Sequence, residues 1–126
     1  MKPSSKFDII VYGATGFTGR LVAEYLAQHY SRKGDPKWAM AGRSKDKLAS
    51  VRDAIGAPAD TPLIVADAGD PASLKAMVDQ TKSIISTVGP YQLYGSELVA
   101  LCAASGTDYF DLCGEPVWMR QMIDAH

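Results

Sequence analysis

The chain has 126 residues, enough for one domain of ordinary size, and its 47% hydrophobic and 21% charged residues are globular proportions that exclude disorder, collagen-like repeats and a membrane bundle. Thirteen basic against fourteen acidic side chains leave a net charge of −1, so the basic excess of a sequence-independent nucleic-acid binder is absent and no nucleic-acid partner is expected. Cys102 and Cys113 have no histidine pair nearby, which argues against a disulfide framework and a metal site and makes a cytoplasmic location the expectation.

From residue 7 onward, apolar runs and turn signals alternate at short intervals, the rhythm of successive strand–helix units. Phe7 to Tyr12, with Ile9, Ile10 and Val11 in sequence, reads as a parallel strand buried on both faces. A helix from Thr18 to about Tyr30 is expected to bury Leu21, Val22, Tyr25 and Leu26. Lys37 to Ala41 is the second strand. Ser44 then caps a helix that carries Leu48, Val51 and Ile55 and stops at Gly56. Leu63 to Ala66 is the third strand, and Asp70-Pro71 starts a helix with Leu74, Met77 and Val78 inward. Ser83 to Val88 is the fourth strand, followed by a helix over Ser96 to Ser105 with Leu98, Val99 and Cys102 inward and Gly106 as its cap. Tyr109 to Leu112 is the fifth strand. A last helix begins near Pro116, carries Val117, Met119, Met122 and Ile123, and is still in progress at His126. This grammar predicts an α/β domain of the doubly wound Rossmann type, a five-stranded parallel sheet in the order 3-2-1-4-5 with helices on both faces. The stop inside a helical pattern predicts a part of a longer, two-domain protein. An open edge at the fifth strand and apolar surface on the last helix predict self-association. No stretch approaches the ~20 apolar residues of a membrane span, and the apolar run near the start is too short for a signal sequence.

Gly13-Ala14-Thr15-Gly16-Phe17-Thr18-Gly19 joins the first strand to the first helix, where glycines permit a tight turn and close backbone approach while the helix N-terminus offers free N–H groups to a pyrophosphate. The G-x-x-G-x-x-G spacing resembles that of short-chain and extended reductases. The end of the second strand lacks the acid that binds an NAD ribose. It carries Ala41-Gly42-Arg43-Ser44, with Lys47 one turn on, a grouping suited to a 2′-phosphate and hence to NADP(H) over NAD(H); the competing reading is a solvated basic face. Asp67-Ala68 after the third strand suits the adenine amino group, or simply a capped turn. Thr87 and Gly89, in Ser86-Thr87-Val88-Gly89-Pro90, leave the fourth strand where a nicotinamide ribose would lie, or serve as a plain strand exit.

Other chemistry is thinly represented. There is no phosphate loop with a terminal Gly-Lys-Ser/Thr, no nucleophile elbow and no zinc-protease helix, and none of the six tyrosines has a lysine four residues later. His29 reads as a surface residue, Cys102 as core, and Cys113 as a small residue near the site. No catalytic residue can be named.

Several strings resemble the saccharopine dehydrogenase-like oxidoreductases, a family that includes trans-acting enoyl reductases: Tyr12 to Gly19, Ala41-Gly42-Arg43, Val88-Gly89-Pro90-Tyr91 with Tyr94-Gly95, Gly106-Thr107-Asp108-Tyr109, and Asp111-Leu112-Cys113-Gly114-Glu115. The resemblance implies an N-terminal NADP-binding domain followed by a second, substrate-holding domain. It implies cofactor roles for Gly13, Thr15, Gly16, Phe17, Thr18, Gly19, Arg43 and Gly89, and it turns Tyr91, Tyr94 and Glu115 toward substrate. Cys113 departs from the hydroxyl residue the family pattern leads one to expect. The expected function is NADP-dependent hydride transfer to or from a C=N or C=C bond of a small or lipid-derived substrate. The alternatives are a dinucleotide-binding scaffold without catalysis and an atypical short-chain reductase.

Overall fold

The computed structural model describes residues 5–126. The strands are β1 (Phe7–Tyr12), β2 (Trp38–Gly42), β3 (Leu63–Val65), β4 (Thr81–Ser86) and β5 (Asp108–Asp111). The helices are α1 (Phe17–His29), α2 (Lys45–Ala54), α3 (Pro71–Val78), α4 (Tyr91–Tyr94), α5 (Ser96–Ser105) and α6 (Pro116–Ala125). All strand pairs are parallel and their order is β3-β2-β1-β4-β5, as the sequence predicts.

Alternation along β1 builds two cores. Ile10 and Tyr12 face one side of the sheet, with Leu74 and Met77 of α3 and Leu98 and Cys102 of α5. Val11 faces the other, with Ala23, Leu26 and Ala27 of α1 and Leu48 of α2. Ile10, Met40, Leu48, Leu74 and Ile84 are fully removed from solvent, each contributing about 2 kcal/mol of apolar transfer free energy. The helix stops act as expected. Ser44 Oγ accepts the Lys47 N–H at 3.3 Å, Asp70 caps α3 with Pro71 behind it, and Gly106 ends α5 at φ +70°, a left-handed turn that favours glycine.

Four local expectations need correction. The buried face of α1 is Gly19, Ala23, Leu26 and Ala27, whereas Leu21 and Tyr25 are more than half exposed. The first half of the helix packs so closely on the turn and sheet that Gly19 and Ala23 lie beneath it, with Leu26 and Ala27 following on the same face, and this turns Leu21 and Tyr25 outward. The fourth strand lies two residues earlier than expected, at Thr81–Ser86, because Thr81 pairs with Phe7 and the exit begins at Thr87. The segment after it is not a plain loop: Tyr91–Tyr94 form a single helical turn, α4. In α6 the buried residue is Trp118, while Val117, Met119 and Ile123 stay exposed.

Candidate functional site

Register brings Tyr12, Gly42, Val65, Ser86 and Asp111 to one edge of the sheet, so the loops after every strand gather there. β1 has β2 on one side and β4 on the other, and the chain's crossovers diverge at that point. In open α/β sheets such a switch point is where a crevice forms. A cleft of about 550 Å³ opens here, lined by Tyr12, Gly13, Thr15, Gly16, Gly42, Arg43, Asp67, Ala68, Gly69, Thr87, Val88, Gly89, Leu93 and Tyr94.

The floor of the cleft is held by backbone. The N–H groups of Gly13 and Ala14 both donate to Ala41 O, at 2.9 and 3.1 Å, and Gly16 N–H donates to Gly13 O at 3.0 Å. Gly13 has φ +90°, and a Cβ there would lie 2.6 Å from Thr87 Oγ1; a Cβ on Gly19 would lie 1.9 Å from Gly13 O. Thr87 Oγ1 sits 3.1 Å from Tyr12 O and 3.2 Å from Gly13 O, fastening the end of β4 to the turn. Gly16 caps α1 without a side-chain acceptor, which leaves the first-turn N–H groups and the helix dipole to an anion. Backbone cradle, helix start and absent side chains together fit a pyrophosphate.

Arg43 stands exposed at the far lip and has no carboxylate ion pair among the described residues. Asp67 also lines the cleft while its Oδ1 accepts the Gly69 N–H at 3.0 Å, so the same carboxylate shapes its own turn and faces the cavity. Burial first, and the Asp67 carboxylate second, push the Tyr12 phenol up to about 12, with Arg43 opposing. An unfolded tyrosine ionises near 10, so the stability this burial confers is present below pH 10 and is lost as pH rises through about 12. Ultraviolet titration is expected to show Tyr12 ionising late, and Tyr12→Phe to remove the contribution near pH 12.

Of the sequence-predicted residues, Gly13, Thr15, Gly16, Arg43, Asp67, Ala68, Thr87, Gly89 and Tyr94 meet in the cleft. Phe17 is 85% exposed at the start of α1 beside Thr18, and Gly19 is buried under the turn. Ser44 is engaged as a helix cap and Lys47 is exposed on α2. Tyr91 is buried, its O–H donating to Ser86 O at 3.1 Å, and Glu115 receives two backbone N–H groups of α4. Tyr12, Gly42, Gly69, Val88 and Leu93 line the cleft without having been singled out; the first four adjoin predicted residues, but Leu93 is placed there only by α4. Cys113 is held up by burial, the opposite of an activated thiolate. Burial and the 2.8 Å bond to Asp111 Oδ2 also push the Tyr109 phenol up.

A parallel 3-2-1-4-5 sheet with a glycine cradle at its switch point and an arginine at the end of β2 defines a Rossmann-type dinucleotide-binding domain. Residues 9–126 match the saccharopine dehydrogenase NADP-binding domain, and the chain belongs to that family. NADP is thus the cofactor of the domain class, in agreement with the sequence expectation. The trans-acting enoyl reductase of Mycobacterium leprae is 50% identical over 128 aligned positions, covering 100% of this chain and 30% of that protein. Its counterpart in Mycobacterium ulcerans is 49% identical over 122 positions, 96% of this chain and 28% of that one. The chain therefore spans less than a third of the length of these relatives. Among solved structures, the L-Glu-forming saccharopine dehydrogenase of Saccharomyces cerevisiae superposes with a TM-score of 0.73 at 17% identity, over 92% of this chain and 24% of that one. The Citrobacter triphenylmethane reductase complexed with NADP(H) gives a TM-score of 0.62 at 22% identity, over 80% of this chain and 35% of that one. At these identities the structures attest the fold alone. No helix among the described residues is long and apolar enough to cross a membrane.

Proposed function

We propose that this chain is the cofactor-binding domain of a two-domain NADP-dependent oxidoreductase acting on the C=C bond of a lipid-derived small molecule. The observation that carries the reading is the cleft itself, with Arg43, which has no carboxylate ion pair among the described residues, at one end and the Gly13–Gly19 cradle in the middle. The C=C preference over C=N rests on the relatives named trans-acting enoyl reductase. NADPH supplies the hydride when bound; the chain's part is binding and orientation. Gly13, Thr15, Gly16, Phe17 and Thr18 serve the pyrophosphate, with Gly19 allowing the approach. Arg43 serves the 2′-phosphate, with Ser44 ordering the start of α2 and Lys47 adding charge. Asp67 and Ala68 serve the adenine, Thr87 and Gly89 the nicotinamide ribose, and Tyr94 the substrate side. The reading includes a cytoplasmic location, where thiols such as those of Cys102 and Cys113 stay reduced.

Calorimetric titration of the full chain is expected to give tighter binding of NADPH than of NADH. Equal affinities would remove the 2′-phosphate assignment, and no binding of either would remove the reading. We also expect self-association, since β5 is the sheet edge and Phe110 on it, Leu112 after it and Val117 and Ile123 of α6 are each more than half exposed. Light scattering should show a concentration-dependent mass that Phe110→Lys reduces; a strict monomer at high concentration refutes it.

A further inference from the structure

The wall of the cleft opposite Arg43 is made by Leu93 and Tyr94, which are 70% and 46% exposed and stand on a helix of one turn. A turn of this length gains little from its own hydrogen bonds, because nucleation fixes several residues for very few of them; Gly95 joins α4 to α5 at its C-terminal end, and its N-terminal end has no helix behind it. Something must hold α4, and its backbone accounting shows what. Leu93 and Tyr94 donate their N–H groups to Pro90 O, at 3.2 and 3.1 Å, and Gly95 donates to Tyr91 O at 2.7 Å. Pro90 has no N–H. The two remaining donors of the turn, Tyr91 N–H and Gln92 N–H, both go to Glu115, at 2.7 Å to Oε2 and 2.9 Å to Oε1. One carboxylate thus completes the turn from a position more than twenty residues along the chain.

The rest of the neighbourhood locks the same piece. Tyr91 O–H donates to Ser86 O at 3.1 Å and accepts the Leu112 N–H at 3.3 Å, tying α4 to the ends of β4 and β5. Trp118 stacks on the Tyr91 ring with centroids 5.7 Å apart and donates from Nε1 to Ser96 Oγ at 2.9 Å. Its ring closes on Gly95, where a Cβ would lie 2.8 Å away. Two exposed apolar side chains are therefore presented by a rigid support, an arrangement suited to a contact surface and unlike a flap.

We propose that Glu115 is the positioning residue of this wall: by gripping α4 it sets Leu93 and Tyr94 against the nicotinamide half of the bound cofactor. The inference rests on the reading of the cleft as an NADPH site, and it replaces the direct substrate contact that the sequence offered for Glu115. The test pairs two ligands on the full chain. NADPH spans the cleft, whereas adenosine 2′,5′-bisphosphate has the 2′-phosphate and adenine and lacks the nicotinamide.

Glu115→Gln keeps one acceptor oxygen and loses the other, so one N–H of the turn is left facing an amide donor. It is expected to weaken NADPH by about tenfold, the scale of a lost hydrogen bond to a charged group, with adenosine 2′,5′-bisphosphate unchanged within about twofold. At saturation, the emission of bound NADPH should move toward that of free cofactor. A role confined to stability would lower the melting temperature and leave the ligand ratio and the emission as in the wild type, which would overturn the proposal. So would parallel losses for both ligands. Leu93→Ala and Tyr94→Ala, both at exposed positions, guard against misfolding of the Glu115 variant: each should reproduce the nicotinamide-selective loss, and normal NADPH binding in both would equally overturn the proposal. A wild type that binds adenosine 2′,5′-bisphosphate and not NADPH would also refute the wall, while one that binds neither would refute the cleft reading itself.

Discussion

Gly19→Ala is expected to destabilise the domain strongly by forcing α1 off the glycine turn, and to abolish cofactor binding with it. The added Cβ would lie 1.9 Å from the Gly13 carbonyl oxygen, and real contacts of that kind do not come closer than 3.0 Å, so α1 must withdraw by about 1 Å. The obstacle is backbone, and no side chain can rotate away to relieve it. Nor can Gly13 retreat, since its own Cβ position is closed by Thr87 Oγ1 at 2.6 Å and Val88 Cγ2 at 2.8 Å. The expected cost is about 3 kcal/mol, at the upper end of overpacking, corresponding to a fall of about 10 °C in melting temperature for a domain of this size. Gly34→Ala provides the contrast: its φ of +94° imposes strain, yet nothing lies within 4 Å, so a cost of about 1 kcal/mol is expected there. Urea unfolding that placed both variants within about 1 kcal/mol of the wild type would show that the helix and turn are not packed as closely as described.

Close packing at Gly19 also explains which parts of the fold were legible in the sequence. Signals that act over a few residues could be read directly: the cap at Ser44, the Asp70-Pro71 start, the left-handed stop at Gly106 and the glycine turn. Strand order followed because parallel crossovers restrict topology so strongly. The buried face of α1 was misread for a related reason. Hydrophobicity favours Leu21 and Tyr25, but the approach fixed by Gly19 selects Ala23 and Ala27, and only the three-dimensional distance reveals that. α4 was invisible because its stability comes from Glu115 and Trp118, far along the chain, and a segment opening with Gly89-Pro90 carries no helical periodicity of its own. The same long-range bonds, two backbone N–H groups of α4 donated to Glu115, give that residue a structural partner that its place after β5 did not announce. Most of the cleft lining was foreseen because each strand ends at the same edge, so its residues follow strand ends in sequence; Leu93 and Tyr94 are the exceptions, both placed by α4, and of the two the sequence offered only Tyr94, through the family pattern.

Arg43→Ala is expected to weaken NADPH by between about tenfold and a hundredfold while changing NADH by less than about threefold. The difference arises because the two cofactors diverge only at the 2′ position, and Arg43 is the cleft-lining cation at the end of β2, without a competing carboxylate ion pair among the described residues. A guanidinium can meet a phosphate with two parallel N–H donors, so Arg43→Lys should recover only part of the loss, keeping the charge without the fork. Because Arg43 is exposed, its attraction is screened: raising ionic strength should shrink the NADPH advantage of the wild type and have little effect on Arg43→Ala. Lys47→Ala, one turn further on and also exposed, should cost less and show the same salt dependence, since its charge acts from outside the lining. Calorimetry at two ionic strengths separates these contributions. Equal losses of NADPH and NADH in Arg43→Ala would mean that the residue supports the cleft generally, and the 2′-phosphate would then have to be bound elsewhere. Selective loss with retained NADH binding would place cofactor choice in one side chain that follows β2, at the position where NAD-binding relatives of the fold carry an acid.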